Sequence, residues 1–301
     1  MMLLVLVKLF SMQHATPSSQ TSPIDDIDFD RRFGGIARLY GAQGLERFKQ
    51  AHICVIGVGG VGSWVVEALA RSAIGAITMI DLDNVAESNI NRQIQATSET
   101  LGKAKVTALA ERIAIINPYC KVREVEEFVE PDNLELMIGS QQFDYVIDAI
   151  DSVKAKTALI AYCREHHIPL ITIGAAGGQT DPGKIEIRDL SRTEQEPLLA
   201  LVRKRLRQNF GFPRGMKTKF GIDAVFSMEA LTTPETVEVC VVASDGDTAV
   251  ANANGSSGGI SGLNCAGFGS SIVVTASFGL AAAAHVLRKL AFQPVQSAQS
   301  E

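Results

Sequence analysis

The sequence holds only five cysteines, Cys54, Cys120, Cys163, Cys240 and Cys265, and no two of them form a C-x-x-C pair. That excludes a zinc knuckle and a disulfide framework, so no zinc is expected, and it suits a reducing, cytoplasmic compartment. Long apolar runs are also missing. The run from Met2 to Phe10 is interrupted by Lys8, has no basic segment ahead of it and is too short to span a bilayer. The only other apolar stretch of that length, Ile272 to Leu290, contains Ser, Thr and Gly and has a basic end, which suits a buried or docking helix. No transmembrane anchor is expected. Nor is there an excess of positive charge. The formal net charge of -5 does not announce a nucleic-acid binder, although a local basic segment can still act as one.

With 46% hydrophobic residues over 301 positions, the chain has enough apolar material for a sizeable core. From about residue 50, short apolar runs alternate with helical spacing. Strands are expected at His52–Ile56, Ala76–Ile80, Val122–Val125, Tyr145–Ala149 and Pro169–Ile173. Helices are expected at Ser63–Ala73, Lys103–Asn117, Pro131–Ile138 and Lys154–His166, with Asp28–Lys49 helical in parts and broken at Gly34-Gly35 and Gly41. This alternation predicts an α/β fold, a Rossmann-like doubly wound and mostly parallel sheet with a C-terminal extension. The expected divisions are a poorly ordered leader (1–27), a nucleotide-binding domain (28–190), an extension with a terminal helix (191–292) and a tail (293–301). In the extension, strands are expected at Ala224–Ser227 and Val237–Val242, and a small-residue loop at Ala251–Gly262.

Gly57, Gly59, Gly60 and Gly62 form G-x-G-x-x-G directly after the HICVI strand and before a helix. Glycines there let the backbone turn tightly and approach a phosphate, and the helix N-terminus offers free N–H groups. The bland alternative is a tight structural turn. Asp81 and Asp83 end the second strand about 20 residues on, where an acid hydrogen-bonds a ribose, a feature shared by NAD, FAD and ATP sites; a solvated turn is the alternative. The segment Ser88-Asn89-Ile90-Asn91-Arg92-Gln93, with Lys103 and Lys105 behind it, separates those cofactors. Several cations suit a triphosphate whose leaving pyrophosphate gathers charge, and not NAD. Asp148 and Asp151 follow another strand, where a carboxylate can hold Mg²⁺ on phosphate oxygens or simply cap a helix.

In this order the motifs Arg38-Leu39-Tyr40-Gly41, GVGGVGS (57–63), IDLD (80–83), SNINRQ (88–93), GKAK (102–105) and DAIDS (148–152) resemble the ubiquitin-activating-type adenylating enzymes, whose bacterial members activate sulfur-carrier proteins. The resemblance implies ATP bound with Mg²⁺ and a carboxylate activated as an acyl-adenylate. By position it implies that Asp81 meets the ribose, Asn89 lies near the phosphates, Arg92 and Lys105 contact them, and Asp151 holds Mg²⁺. It also implies a homodimer across which Arg38 reaches the γ-phosphate. A monovalent cation is a further candidate. Sulfur-carrier activators carry paired zinc cysteines, which this chain lacks. The segments RRFGGIARLYG (31–41), GVGSWVVEALARS (60–72), DAIDSVKAK (148–156), IPLITIGAAGGQTDP (168–182) and CAGFGSSIVVTASFG (265–279) are similar instead to the branch acting on tRNA threonylcarbamoyladenosine. That branch implies ATP-dependent cyclisation of the modified adenosine at position 37, with net loss of water. Adenylation of the C-terminus of a sulfur-carrier or ubiquitin-like protein is the alternative. An NAD oxidoreductase and an inactive scaffold working with a cysteine desulfurase or sulfur acceptor are further ones.

Residues 197–222 contain Arg203, Lys204, Arg205, Arg207, Arg214, Lys217 and Lys219 and no acid. Such a patch binds phosphate backbones, and the interleaved Phe210, Phe212 and Phe220 are candidates to stack bases. A solvated basic helix over core aromatics is the competing reading. Cys265 precedes a Gly-rich turn where a thiolate is favoured, but Cys265 and Cys240 also read as small buried residues. The lone Trp64 reads as core.

Overall fold

The β1 strand (His52–Ile56) sends its side chains alternately into two cores. Ile53 and Val55 join Phe48, Leu69, Met79 and Phe278 on one face, while Cys54 and Ile56 join Val146, Leu159, Leu199 and Phe226 on the other. A strand buried on both faces has no polar side, which is why Ile53 to Ile56 is an unbroken apolar run. The computed structural model describes residues 28–215, 218–232, 239–244, 247–252 and 268–292. The expected leader and tail, Lys217, Cys265 and most of the Ala251–Gly262 loop lie outside the described residues, as does the side chain of Cys240.

The elements around β1 are α1 (Phe29–Gln50), α2 (Gly62–Arg71), β2 (Ala76–Ile80), α3 (Lys105–Ile116), β3 (Lys121–Val125), β4 (Tyr145–Asp148), α4 (Val153–Glu165) and β5 (Leu170–Ile173). They continue with β6 (Ile185–Asp189), α5 (Pro197–Asn209), β7 (Asp223–Ser227), a hairpin of β8 (Val239–Ser244) and β9 (Asp247–Asn252), and α6 (Ile272–Ala291). Seven strands form one sheet in the order β3-β2-β1-β4-β5-β7-β6, and only β6 runs against its neighbour. This is the mostly parallel, doubly wound sheet expected from the alternation. The strand order turns back between β1 and β4, and a crevice opens outside the carboxyl ends of strands at such a point.

Three local expectations change. Gly34 and Gly35 do not break α1; the helix runs through them and breaks only at Gly41, whose φ is 79°. Helical glycine is tolerated where packing of neighbours such as Phe33 and Phe48 holds the helix. The helix expected at 131–138 is reduced to a π-helical turn, Glu135–Gly139, because a segment that short is marginal on its own. The Tyr162 hydroxyl pins it by donating to Glu135 at 2.7 Å. The sheet also does not stop near residue 190. β7 inserts between β5 and β6, so the expected boundary falls inside one sheet.

Long arginines fasten helix ends across the fold. Arg32 donates to the carbonyls of Ile115 and Ile116 at 3.1 and 2.9 Å, capping α3, and Arg47 donates to Ala291 O at 2.6 Å, capping α6. Each satisfies carbonyls that a helix C-terminus leaves without partners. Among the described residues α6 is the one helix long and apolar enough, by length and composition, to cross a membrane, and 50% of that window is buried in the protein. Val274, Phe278, Ala282 and Val286 pack into the first core, so α6 covers one face of the sheet.

Candidate functional site

The glycine loop leaves β1 at the point where the strand order reverses. Gly57 has φ of +80°, and a Cβ on it would lie 2.8 Å from the carbonyl oxygen of Ala149, just beyond β4. Only glycine allows both that backbone conformation and that approach. A Cβ on Gly62 would meet Gly57 O at 1.8 Å, so the first turn of α2 sits directly on the loop. Within that turn the Ser63 N–H donates to Gly59 O and the Trp64 N–H to Val61 O, both at 3.1 Å; a glycine loop running into a helix N-terminus is the arrangement that binds anions.

Side chains hold the loop from below. Asp81, at the end of β2, accepts the Val58 N–H at 2.8 Å and the Asp83 N–H at 2.9 Å. Gln95 donates to the Val58 carbonyl at 3.0 Å, so both polar backbone groups of Val58 are fixed by side chains. Lys105, buried at the start of α3, donates to Asp83 at 2.7 Å and lies 4.0 Å from Asp81. Burial pushes the Asp81 carboxyl up, and the Lys105 charge opposes that.

The SNINRQ segment folds over the loop. Asn89 accepts the Ala86 N–H at 3.0 Å, closing a short 3₁₀ turn. Arg92 donates to Ser88 O at 2.7 Å and to Asn91 Oδ1 at 3.0 Å, and its stem lies across Gly60. Asn91 also donates to Ser270 O at 3.0 Å, just ahead of α6. Gly57, Gly59, Gly60 and Gly62 are thus brought together with Asp81, Asp83, Lys105, Asn91 and Arg92.

Asp148 differs from the expectation of a ligand-binding carboxylate. It is fully buried and accepts from Lys156 at 2.8 Å, Thr172 at 2.7 Å and the Ile150 N–H at 3.0 Å, which leaves it no open side. Asp151 is exposed beyond the same strand end. Among the described residues no group of three or more His, Cys, Asp or Glu gathers as a metal site. The donor set fits a phosphate-borne Mg²⁺, which needs only one or two protein carboxylates beside phosphate oxygens and water. Asp151 is the exposed carboxylate at that strand end.

Arg38 stays apart from this cluster. It is exposed on α1, with its guanidinium beside Gly34 and Gly35 of its own helix. Of the basic segment, Lys204, Arg214 and Lys219 are exposed. Arg203 is half-buried and donates to the Thr193 hydroxyl, and burial with Arg207 nearby lowers its pKa. Arg205 is half-buried and engaged in an interaction of its own. Arg207 lies over the Phe220 ring at 5.2 Å. Phe212 and Phe220 are buried edge to face, 4.9 Å apart, so they belong to the core rather than to a base-stacking surface; Phe210 is exposed.

The ThiF family model matches residues 31–299 of this chain. The chain belongs to the ThiF family. It is similar to the tRNA threonylcarbamoyladenosine dehydratase of Escherichia coli, at 51% identity over 261 residues, covering 86% of this chain and 93% of that one. It is similar to the Haemophilus influenzae protein of the same name at 49% identity over 264 residues, covering 87% and 94%. The crystal structure of the E. coli dehydratase in complex with ATP superposes with a TM-score of 0.75 at 48% identity, covering 87% of this chain and 94% of that one.

Several residues that build the site in this ThiF-family chain escape a reading by motif. Gln95 lies just past SNINRQ, and Trp64 donates its indole N–H to Arg92 O at 2.9 Å although it reads as core. Lys156 is fully buried and also donates to Thr172 at 3.1 Å. Glu196 caps α5 through the Leu199 N–H and accepts the Ala175 N–H at 2.9 Å, tying the loop after β5 to that helix. Burial pushes its carboxyl up, against those hydrogen bonds and the Lys156 charge.

Proposed function

We propose that this chain is an ATP-dependent tRNA threonylcarbamoyladenosine dehydratase that activates a carboxylate by adenylation. The observation that carries the reading is the convergence of Lys105, Asp81 and Arg92 on one glycine loop at the turning point of the sheet. Two cations at that loop suit a triphosphate. The likeness to the ATP-bound dehydratase over most of both chains supports the substrate class.

In this reading the loop N–H groups and the start of α2 bind the phosphates, and Asp81 keeps acceptor capacity for the ribose beyond its two backbone donors. Arg92 and Lys105 stabilise charge on the α-phosphate and the departing pyrophosphate. The carboxylate oxygen of the threonylcarbamoyl group bonds to the α-phosphorus as the bond to pyrophosphate breaks. The carbamoyl nitrogen or oxygen then bonds to the activated carbonyl carbon, a proton is lost and AMP leaves. The ring that remains has lost the elements of water. Asp151 would hold Mg²⁺, whose charge would offset that of the phosphates.

The assembly belongs to the proposal. Exposed Leu39 on α1, Val273 and Leu280 on α6 and Phe292 just past it lie along two helices that pack on each other, and suit a homodimer face that would place Arg38 in a partner's site. Among the described residues of the basic segment, Lys204, Arg214 and Lys219 are exposed and suit contact with tRNA phosphates in the cytoplasm, where such a substrate is found. A sulfur-relay partner would need a reactive thiol. Burial pushes Cys120 and Cys163 up to about 12 and Cys54 higher still, so these three are poor nucleophiles.

The test is AMP release by the purified chain with ATP and Mg²⁺. AMP formed only when tRNA bearing threonylcarbamoyladenosine is added supports the proposal. AMP formed only with a small carrier protein removes it.

A further inference from the structure

Trp64 is the one tryptophan of the chain and stands in the first turn of α2, half-buried against α6. A Cβ on Gly279 of α6 would come within 3.0 Å of the Trp64 Cβ and 2.5 Å of Val61 O, so the two helices meet closely at the base of the Trp64 side chain. An indole N–H is a donor only. Here it donates to the backbone carbonyl of Arg92 at 2.9 Å. The neighbouring Asn91 is tied to Ser270 O at 3.0 Å. Residues 91 and 92 are therefore fastened twice, by the Asn91 side chain ahead of α6 and by Trp64 on the Arg92 carbonyl, while the Arg92 stem runs over Gly60.

We propose that Trp64 is a positioning residue for ATP: its N–H fixes the Arg92 backbone so that the guanidinium is held over the glycine loop before the phosphates arrive. The inference rests on the reading above that Arg92 serves the phosphates. An arginine carries large rotamer freedom, and a donor fixed in advance loses less on binding than one that must be ordered. Trp64 acts through Arg92 and does not itself touch the nucleotide.

The test is a double-mutant cycle on the Kd of the full chain for ATP with Mg²⁺, measured by calorimetry. Trp64→Phe keeps the apolar body and removes the N–H. It is expected to raise Kd roughly three- to tenfold, the loss of one hydrogen bond, and to change it less than about 1.5-fold in an Arg92→Ala background. A merely structural tryptophan would cost the same factor in both. Equal effects in the two backgrounds, or no effect in the first, overturn the inference while leaving the role of Arg92 standing. An unchanged Kd for Arg92→Ala alone overturns both. Where Trp64→Phe folds poorly, benzothienylalanine incorporated for the single tryptophan removes the N–H and keeps the shape, with the same outcomes expected.

Discussion

The stem of Arg92 crosses Gly60 so closely that a Cβ there would lie 3.2 Å from both its Cγ and its Cδ. The obstacle is a flexible side chain, so Gly60→Ala displaces Arg92 and leaves the fold intact. ATP affinity is expected to fall about tenfold with little change in thermal midpoint, as for loss of one charge-assisted contact. Gly57→Ala behaves differently, because a Cβ meets the Ala149 carbonyl at 2.8 Å and φ is +80°. It is expected to cost roughly 1–3 kcal/mol of stability in denaturant titrations. Equal stability losses in the two variants would contradict this division.

Asp151 is exposed where Asp148 is fully buried. Asp151→Ala is expected to leave the thermal midpoint near that of the parent and to raise the Mg²⁺ concentration needed for half-maximal AMP formation about tenfold or more. Asp148→Ala strands the buried Lys156 ammonium and is expected to destabilise the fold by about 3–5 kcal/mol. An unaltered Mg²⁺ requirement in Asp151→Ala removes that residue from metal binding.

The exposed cations are the ones to reverse when probing tRNA. Lys204→Glu with Lys219→Glu is expected to weaken binding and to flatten the slope of log affinity against log salt by about 2. Arg203 and Arg207 are engaged with Thr193 and Phe220, so reversing them would perturb α5 as well. A salt slope unchanged by the Lys204 and Lys219 pair would move the tRNA surface elsewhere.

These outcomes also separate what a sequence carries locally from what only the fold decides. The parallel strands at the centre were legible because burial on both faces makes them unbroken apolar runs, and the glycine turn because Gly57 needs a positive φ and a close approach to Ala149. The insertion of β7 beside β5 was not, since Ile171 pairs with Asp223 across a long stretch of chain that no local pattern spans. The antiparallel β6 alternates through Ile185, Glu186, Ile187 and Arg188, but at the sheet edge every one of its residues is half-buried, so the pattern is weak. Lys154 and Lys156 look alike in sequence, yet one is exposed and the other fully buried against Asp148. The indole N–H of Trp64 is a single polar atom on an apolar body, and its partner is set by tertiary packing alone.

Asp189 gives the fold an acid sensitivity of known sign. Burial would raise its carboxyl, but donors outweigh that and hold it below the usual range: the Ser191 hydroxyl at 2.6 Å and the N–H groups of Phe220, Ser191 and Gly221 at 2.9, 2.9 and 2.8 Å. A depressed pKa contributes stability above the unfolded value of about 3.9 and loses it as pH falls through the folded value. Asp189→Asn is expected to be roughly 1–3 kcal/mol less stable than the parent at neutral pH, with the gap closing below about pH 4. Parallel stability curves down to that pH would contradict the assignment.

The most direct measurement is the mass of the modified nucleoside from tRNA bearing threonylcarbamoyladenosine, digested after incubation with the chain, ATP and Mg²⁺. A dehydratase yields a nucleoside lighter by one water, in step with AMP formed. A nucleoside of unchanged mass, with ATP still converted to AMP, would contradict it.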